Sequence, residues 1–236
     1  MSGLELIVVY ILPLAAVLLL AFLVWSCAKI GSGVWVKAVC RNISHDKVTL
    51  TFDDGPDPVA TPLVLDILAE NGVAAYFFVI GEKAEKYPGL IRRMVSEGHH
   101  AGNHTYTHSV LFPLSGRPCI EDEIRACDSV IDSALDAGRL CEHIFRPPFG
   151  VTNPDIARVV KHTGHKVIGW DVRSMDTAMV KDSLSEPDAA VAISGCVARI
   201  MSKVRPGSVI LLHDRLRHSP ALLQALITAL RDRDLI

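Results

Sequence analysis

The chain has 236 residues, which is enough for one sizeable domain with its own hydrophobic core. Lys and Arg number 24 against 26 Asp and Glu, so the formal net charge is −2 and the composition argues against a nucleic-acid-binding protein. Half of the residues are hydrophobic, and much of this excess lies near the N-terminus.

The N-terminal apolar stretch, residues 6–25, holds about twenty apolar residues without a charge, which is long enough to cross a bilayer as a helix. Pro13 does not exclude this, because membrane helices tolerate proline. A cleaved signal peptide is the alternative, but such peptides carry basic residues before the apolar core, and here only Glu5 precedes it. We predict an uncleaved single-pass anchor over residues 1–28.

The residues that flank the span bear on its orientation. Lys29, Lys37 and Arg41 follow it and no basic residue precedes it, so the positive-inside rule favours a cytoplasmic C-terminal part. Six cysteines lack CxxC spacing, and five lie beyond the membrane. The odd number favours reduced thiols over a disulfide framework, and we expect them to be small buried apolar residues.

After a linker at 29–44, the chain alternates short strand-like and longer helix-like segments. The patterns predict strands at 47–52, 73–80, 99–102, 143–145, 166–172 and 208–214. They predict helices at 61–72, 87–98, 120–138, 153–164, 188–207 and 219–234. Strands that alternate with helices indicate a parallel sheet or a β/α barrel. We see no second domain and predict one domain over 45–236.

Polar residues gather at the predicted strand ends. In parallel β/α folds the carboxyl edge of the sheet carries the active site, so a common function is indicated. The residues are Asp53, Asp54, His104, Arg146, Asp171 and His213.

The stretch NHTYTH places His104 and His108 four residues apart. On a helical turn they would share a face, so both imidazoles could reach one metal ion. A carboxylate from TFDDGP, Asp53 or Asp54, would complete a three-ligand site with an open position. In such sites a divalent metal holds and acidifies a water molecule, and the second aspartate could take its proton.

Two further motifs offer supporting groups. Arg146 in FRPPFG is a cation that would keep the base ionised, and the Pro-Pro turn could hold the Phe149 amide toward an oxyanion. His213 at the end of VILLHD could protonate the leaving group. Taken alone, Arg146 could equally form a surface ion pair, and His213 could be a structural strand-end histidine.

Four of these motifs resemble those of one family in its order. TFDDGP, HTYTH, RPPF and ILLHD are similar to the motifs of polysaccharide deacetylases of the NodB-homology type, carbohydrate esterase family 4, over about residues 45–236. The resemblance implies a distorted β/α barrel. It also implies removal of N-acetyl, sometimes O-acetyl, groups from carbohydrates.

The resemblance also implies roles for individual residues. Asp53 would be the catalytic base and Arg146 would hold it. Asp54, His104 and His108 would bind one divalent metal ion, most often zinc, sometimes cobalt or manganese.

Other positions concern the acid and the substrate. His213 would be the general acid, oriented by Asp176 in RSMDT, while Leu212 would line the acyl pocket and the Phe149 amide would bind the oxyanion. Thr177 stands where the family often has a tryptophan that walls the sugar cleft. Trp170 is a candidate substrate contact, although we do not assume that it replaces the missing ring.

The resulting expectation is a metal-dependent deacetylase in the cytoplasmic membrane. Its substrate would be an N-acetylated sugar in a cell-envelope glycan or on a polyprenyl lipid. The basic flank favours a cytoplasmic domain and a lipid-linked sugar, whereas the family's many exported members favour wall glycan. A catalytically inactive carbohydrate-binding relative and an O-acetyl esterase are the alternatives. A two-carboxylate glycosidase suits adjacent aspartates and a histidine pair less well.

Overall fold

The computed structural model describes residues 7–135 and 143–236. It begins with an apolar helical segment, Ile7–Ala28, of 22 residues and mean hydropathy 3.0. At about 1.5 Å per residue this segment is about 33 Å long, against about 30 Å for a bilayer core. Its length and composition suit a membrane span and also a signal sequence. Ile7–Ile11 is π-helical and helix α1 covers Leu12–Ala28, while residue 6 of the predicted span lies outside the described part.

The remainder is built on a seven-stranded sheet in which every neighbouring pair is parallel. The strand order is β5-β4-β3-β2-β1-β7-β6. The strands are β1 Thr49–Asp53, β2 Ala75–Val79, β3 His100–Asn103, β4 Ile144–Phe145, β5 Lys166–Val167, β6 Val172–Arg173 and β7 Val209–His213.

The two edge strands are consecutive in the chain, and this makes the sheet curl. Only residues 168–171 connect β5 to β6, so the two edges must lie near each other. The predicted α/β fold with a distorted barrel is therefore confirmed, as an incompletely closed one.

A short piece of the predicted linker lies in the gap between these edges. Val39 forms a parallel bridge with Ile168, and Arg41 forms an antiparallel bridge with Ser208. The Gly169 N–H also donates to the Val39 carbonyl at 2.9 Å. We refer to residues 38–41 as the seam segment.

Eight helices follow α1 among the described residues, and most of them cover the sheet. They are α2 Ala60–Asn71, α3 Gly81–Lys86, α4 Pro88–Ser96, α5 Arg117–Ala134, α6 Pro154–Thr163, α7 Asp176–Met179, α8 Glu186–Met201 and α9 Ser219–Arg231. The short helices α3 and α7 were not predicted. The predicted strand 166–172 is wrong as one element, because the chain must cross from one sheet edge to the other within it. Residues 136–138 of the predicted helix 120–138 lie outside the described residues.

The core and the end of α1 are in contact with each other. Ile30, just after α1, is buried in a cluster with Phe112 and Phe145. The Thr152 N–H donates to the Cys27 carbonyl at 2.9 Å. The end of the apolar helix is thus packed on the domain.

The five described cysteines are free thiols, and the reduced state of the cysteines stays a prediction. Cys127 and Cys196 are buried, Cys27 and Cys40 are half-buried, and Cys119 is exposed. Only two of these five therefore match the expectation of buried apolar residues; the sixth cysteine, at position 141, lies outside the described residues.

Candidate active site

The carboxyl edge of the sheet brings most of the predicted site residues together. Asp53 ends β1, His213 ends β7, His104 follows β3 and Arg146 follows β4. Asp176 is the first residue of α7, just after β6. Apart from His213, which is half-buried, these side chains belong to buried residues, so their charges act on one another with little screening by water.

Asp171 does not join this group, so the prediction that it lies at the active-site edge is wrong. It precedes β6 and accepts hydrogen bonds from the Val209 N–H at 2.9 Å and the Ser208 hydroxyl at 3.1 Å, where β7 begins. The carboxylate therefore holds the start of a strand.

Three side chains converge as a possible metal site. Asp54 Oδ1 lies 3.6 Å from His104 Nε2 and 3.4 Å from His108 Nε2. Zinc–ligand bonds of about 2.1 Å at a tetrahedral angle would separate ligand atoms by about 3.4 Å. His104 Nδ1 lies 2.6 Å from the Arg146 carbonyl, which can only accept, so Nδ1 carries the proton of the neutral ring and Nε2 is the atom that would bind a metal. These residues fit a divalent metal ion with open positions.

The histidine pair is held by a loop and not by the helical turn that we predicted. Thr105 and His108 have left-handed backbone, with φ of 68° and 54°. The Thr105 N–H donates to Asn103 Oδ1 at 2.8 Å, and the His108 N–H donates to Thr105 Oγ1 at 3.1 Å. This coiling brings the rings of His104 and His108 to 4.8 Å between centroids. The spacing was informative, but the reason given for it was wrong.

Arg146 is the largest fully buried side chain, so it does not form a surface ion pair. Its Nη1 donates to Asp53 Oδ1 at 2.6 Å and to Thr51 Oγ1 at 2.9 Å. Nε and Nη2 donate to the carbonyls of Ile168 and Gly169, each at 2.9 Å. The guanidinium thereby ties three strand ends together and compensates the buried charge of Asp53.

The three-ligand group consists of Asp54, His104 and His108, and the charges around it favour the protonation states that bind a cation. Burial by itself would raise the pKa of Asp54, but the hydrogen bond and charge of His104, then His213 and Arg215, outweigh burial and hold that pKa well below its usual range. Burial, together with the charge of His104, lowers the pKa of His108. An ionised carboxylate and a neutral imidazole are the forms that bind metal.

His213 and Asp176 form a separate pair on the other side of the pocket. His213 Nδ1 donates to Asp176 Oδ1 at 2.8 Å, and the His213 backbone N–H donates to Asp176 Oδ2 at 2.8 Å. Burial by itself would lower the pKa of His213, but the hydrogen bond and charge of Asp176 outweigh it and raise the pKa. Nε2, 3.9 Å from Asp54 Oδ2, is left to donate a proton into the site.

Asp53, the three possible metal ligands and His213 line a pocket of about 180 Å³. Phe149 has left-handed backbone with φ of 60°, and its ring lies 4.9 Å from that of His108. Trp170 also lines the pocket and packs on Gly150, where an added Cβ would lie 2.4 Å from the indole. Thr177, at the position of the family's tryptophan, lines the same pocket.

The acyl-pocket prediction is displaced by one residue. Leu211 lines the pocket, whereas Leu212 is buried in the core cluster. Side chains alternate along a strand, so Leu211 shares its face with His213, and Leu212 points to the opposite face.

Sequence reasoning missed two arginines in this pocket. Arg215 Nε lies 3.0 Å from Asp54 Oδ2, and Arg173 lines the wall near Trp170. Arg215 follows the ILLHD motif at once, and Arg173 lies three residues before Asp176. Their closeness in sequence to these motifs was the signal that could have identified them as pocket residues.

A second group of metal-type side chains lies where strands β4 and β5 begin. Asp128, His143 and His165 have donor atoms within 4.8 Å of one another. Asp128 Oδ1 lies 3.2 Å from His165 Nε2 and accepts from Asn103 Nδ2 at 2.7 Å. These contacts satisfy the polar atoms of Asp128 and His165, the two less exposed members of the group, without a metal ion.

Comparisons with known proteins agree with this geometry. The profile of a family described as polysaccharide deacetylase matches residues 41–168. A chitooligosaccharide deacetylase of Sinorhizobium fredii is 42% identical over 167 residues, 71% of each chain. A peptidoglycan-N-acetylglucosamine deacetylase of Bacillus cereus is 34% identical over 71% of this chain and 55% of its own. The solved family 4 carbohydrate esterase from Streptomyces lividans in complex with acetate has a TM-score of 0.68 and 30% identity, covering 80% of this chain and 89% of its own.

Proposed function

The chain belongs to the polysaccharide deacetylase family and is a carbohydrate deacetylase, and we propose that it is a membrane-anchored, metal-dependent enzyme. Its proposed reaction is hydrolysis of the N-acetyl group of an amino sugar, in a cell-envelope glycan or on a polyprenyl lipid. The observation that carries this proposal is one pocket with a three-ligand group flanked by an Asp53–Arg146 pair and a His213–Asp176 pair.

The proposed ion would be held by Asp54, His104 and His108, whose donor set suits zinc, with cobalt or manganese as alternatives. When bound, a divalent ion polarises the acetyl carbonyl and makes water a better nucleophile at neutral pH. His104 is oriented for this role by its hydrogen bond to the Arg146 carbonyl.

Asp53 is the proposed base. Arg146 pairs with Asp53 Oδ1, and Asp53 Oδ2 lies 3.8 Å from His104 Nε2, beside the three-ligand group. A carboxylate in this position can accept the proton of the attacking water. The adjacent Asp54 points its carboxylate toward the histidines, so the two neighbouring aspartates serve different purposes.

The remaining groups act on the two ends of the scissile bond. The Phe149 N–H is the proposed donor to the oxyanion, since its residue lines the pocket beside His108. His213 Nε2 is the proposed proton donor to the departing nitrogen, and Asp176 keeps its ring oriented and protonated. An amine is a poor leaving group until it is protonated, so this pair favours N-acetyl over O-acetyl substrates.

A catalytically inactive relative would be expected to lack the base, a ligand or the acid. Each of those positions is filled, and their side chains meet in one pocket. An active hydrolase is the simpler explanation of a base, three ligands and an acid that line one pocket.

Contacts at the end of α1 support the proposed anchor. A signal peptide is removed, yet here Ser26 is buried and accepts a hydrogen bond from Trp35 Nε1 at 3.0 Å. The Cys27 carbonyl is bound by the domain as well. These contacts fit a helix that is retained as a single-pass span of the cytoplasmic membrane. A reporter enzyme fused after Ile236 would decide on which side of the membrane the domain lies. If the reporter is active only outside the cytoplasm, a cytoplasmic domain is excluded.

The test of the function is acetate release by the full chain in detergent. The substrates are a chitin or peptidoglycan oligomer and a polyprenyl-phosphate N-acetylhexosamine, each with and without a chelator and then with added zinc. We expect chelator-sensitive release that zinc restores, and none from an Asp53→Asn variant. Release that survives complete removal of metal would refute metal dependence, and no release from either substrate would refute the N-deacetylase.

A further inference from the structure

A second cleft, of about 510 Å³, lies beside the catalytic pocket and is not used by the proposed reaction. The two share Phe149, Trp170 and Arg173 in their walls, so they are neighbours. Its charged lining residues are Lys29, Arg41, Asp171, Arg173, Arg199 and Lys203, and we call it the basic cleft.

The basic cleft has an unbalanced charge. It is lined by five basic residues and one acidic residue, and Asp171 already pairs with Arg41 at 3.0 Å. Across the described residues, no acidic side chain forms an ion pair with Lys29, Arg173, Arg199 or Lys203. Several uncompensated cations in a concave surface attract an anion, and guanidinium groups bind phosphate oxygens well.

One of these cations is held in place. Arg199 Nη1 donates to the Arg173 backbone carbonyl at 3.1 Å, which fixes the guanidinium at the end of β6. Arg173 itself lines both the catalytic pocket and the basic cleft. An anion in the cleft would therefore lie next to the sugar whose acetyl group is in the pocket.

The position of the cleft relative to α1 indicates where this anion comes from. The cleft begins at Ala28 and Lys29, where the apolar helix ends. The end of that helix is fixed to the domain through Cys27 and Ser26. If α1 spans the bilayer, the basic cleft lies at the level of the lipid head groups, where phosphates are found.

We propose that the basic cleft binds the phosphate of a lipid-linked sugar phosphate whose N-acetylated sugar occupies the catalytic pocket. This inference rests on the proposed function and narrows its substrate to a membrane-embedded glycosyl phosphate. A neutral glycan polymer would leave four cations without a partner, whereas a phosphate directly attached to the sugar would meet them.

The test compares kcat/KM of the full chain in detergent for three substrates. These are a polyprenyl-phosphate N-acetylhexosamine, a water-soluble N-acetylhexosamine 1-phosphate and a neutral chitin tetramer. The double variant Arg199→Gln/Lys203→Gln removes two cleft charges. The single variant Lys203→Gln is included because Lys203 is exposed, so its substitution should not impair folding. The matched control is Arg158→Gln/Lys161→Gln, on helix α6 outside the cleft.

We expect the double variant to lower the ratio of kcat/KM for the lipid-linked substrate over the neutral tetramer by about tenfold. Lys203→Gln should lower it in the same direction, and the control should leave it unchanged. The fall should appear mainly in KM and shrink at high salt, because phosphate contacts are electrostatic. A ratio unaffected by the cleft variants would overturn the proposal.

Two other outcomes separate the possibilities. If the soluble sugar phosphate equals the lipid-linked substrate, the phosphate subsite stands and its lipid source is overturned. If the parent releases acetate from none of the three, the proposed function fails. The cleft is then judged by binding of the soluble sugar phosphate to the Asp53→Asn protein, and a Kd unchanged by the double substitution would overturn it.

Discussion

Replacement of Arg146 by methionine should destabilise the fold and abolish turnover together. The arginine is fully buried and makes four hydrogen bonds, to Thr51, Asp53 and the carbonyls of Ile168 and Gly169. Methionine fills part of the volume but leaves the Asp53 charge buried and unpaired.

The expected magnitude follows from the broken ion pair. Breaking a buried pair costs about 3–5 kcal/mol of unfolding free energy. For a chain of this size, each kcal/mol lowers Tm by about 2–4 °C, so the expected fall is about 6–20 °C. Without Arg146 the Asp53 carboxylate would lose the donor that holds its Oδ1 at 2.6 Å, and loss of a general base typically costs about 10²–10⁴ in kcat.

The assay is thermal unfolding of the full chain in detergent, with acetate release measured on the same sample. Arg158→Met is the matched control, since that side chain is 61% exposed and its ion pair is with exposed Asp155. The control should change the unfolding free energy by no more than about 0.5 kcal/mol. An Arg146→Met protein that melts within about 3 °C of the parent and keeps its kcat would refute this account of the Asp53–Arg146 pair.

Three other substitutions separate the proposed roles. Asp53→Asn should keep bound metal, measured by elemental analysis, and lose turnover; normal turnover would remove Asp53 as the base. His104→Ala should lower metal content, while His162→Ala, at a side chain 69% exposed, should not; equal metal in both would mean a wrong ligand set. Asp176→Asn removes the carboxylate that raises the pKa of His213. Because the acid must be protonated, activity falls as pH rises through that pKa, so the alkaline limb of the kcat profile should move to lower pH in this variant. An unmoved limb would exclude His213 as the group titrating there.

The residues at strand ends were the most predictable part of the molecule. A strand pattern fixes where the chain reaches the sheet edge, so Asp53, Arg146 and His213 could be assigned to one edge from the sequence. The resemblance to a family added Asp176 and indicated which of the two aspartates would be the base and which the metal ligand. Their catalytic roles remain predictions.

The incorrect predictions lie where tertiary structure, and not the local sequence pattern, determines the conformation of the chain. Four-residue spacing indicated a helical turn for His104 and His108, but left-handed backbone at Thr105 gives the same closeness. The predicted strand containing Asp171 is split because the sheet curls, which no local pattern reveals. The pocket contact was predicted at Leu212 and lies at Leu211, because a motif match does not specify which face of a strand lines the pocket.

The seam segment has a consequence for how the enzyme would meet its substrate. Residues 38–41 bridge the curled sheet on both sides of its gap, only ten residues beyond the end of α1. If α1 spans the bilayer, the short tether and the bridges leave little freedom for the catalytic domain to swing away from it. An enzyme held at one height and tilt would encounter lipid-borne molecules by lateral diffusion, so its rate would follow their density per unit membrane area. Diluting the substrate with inert lipid should then slow the reaction even when the total amount of each component is constant.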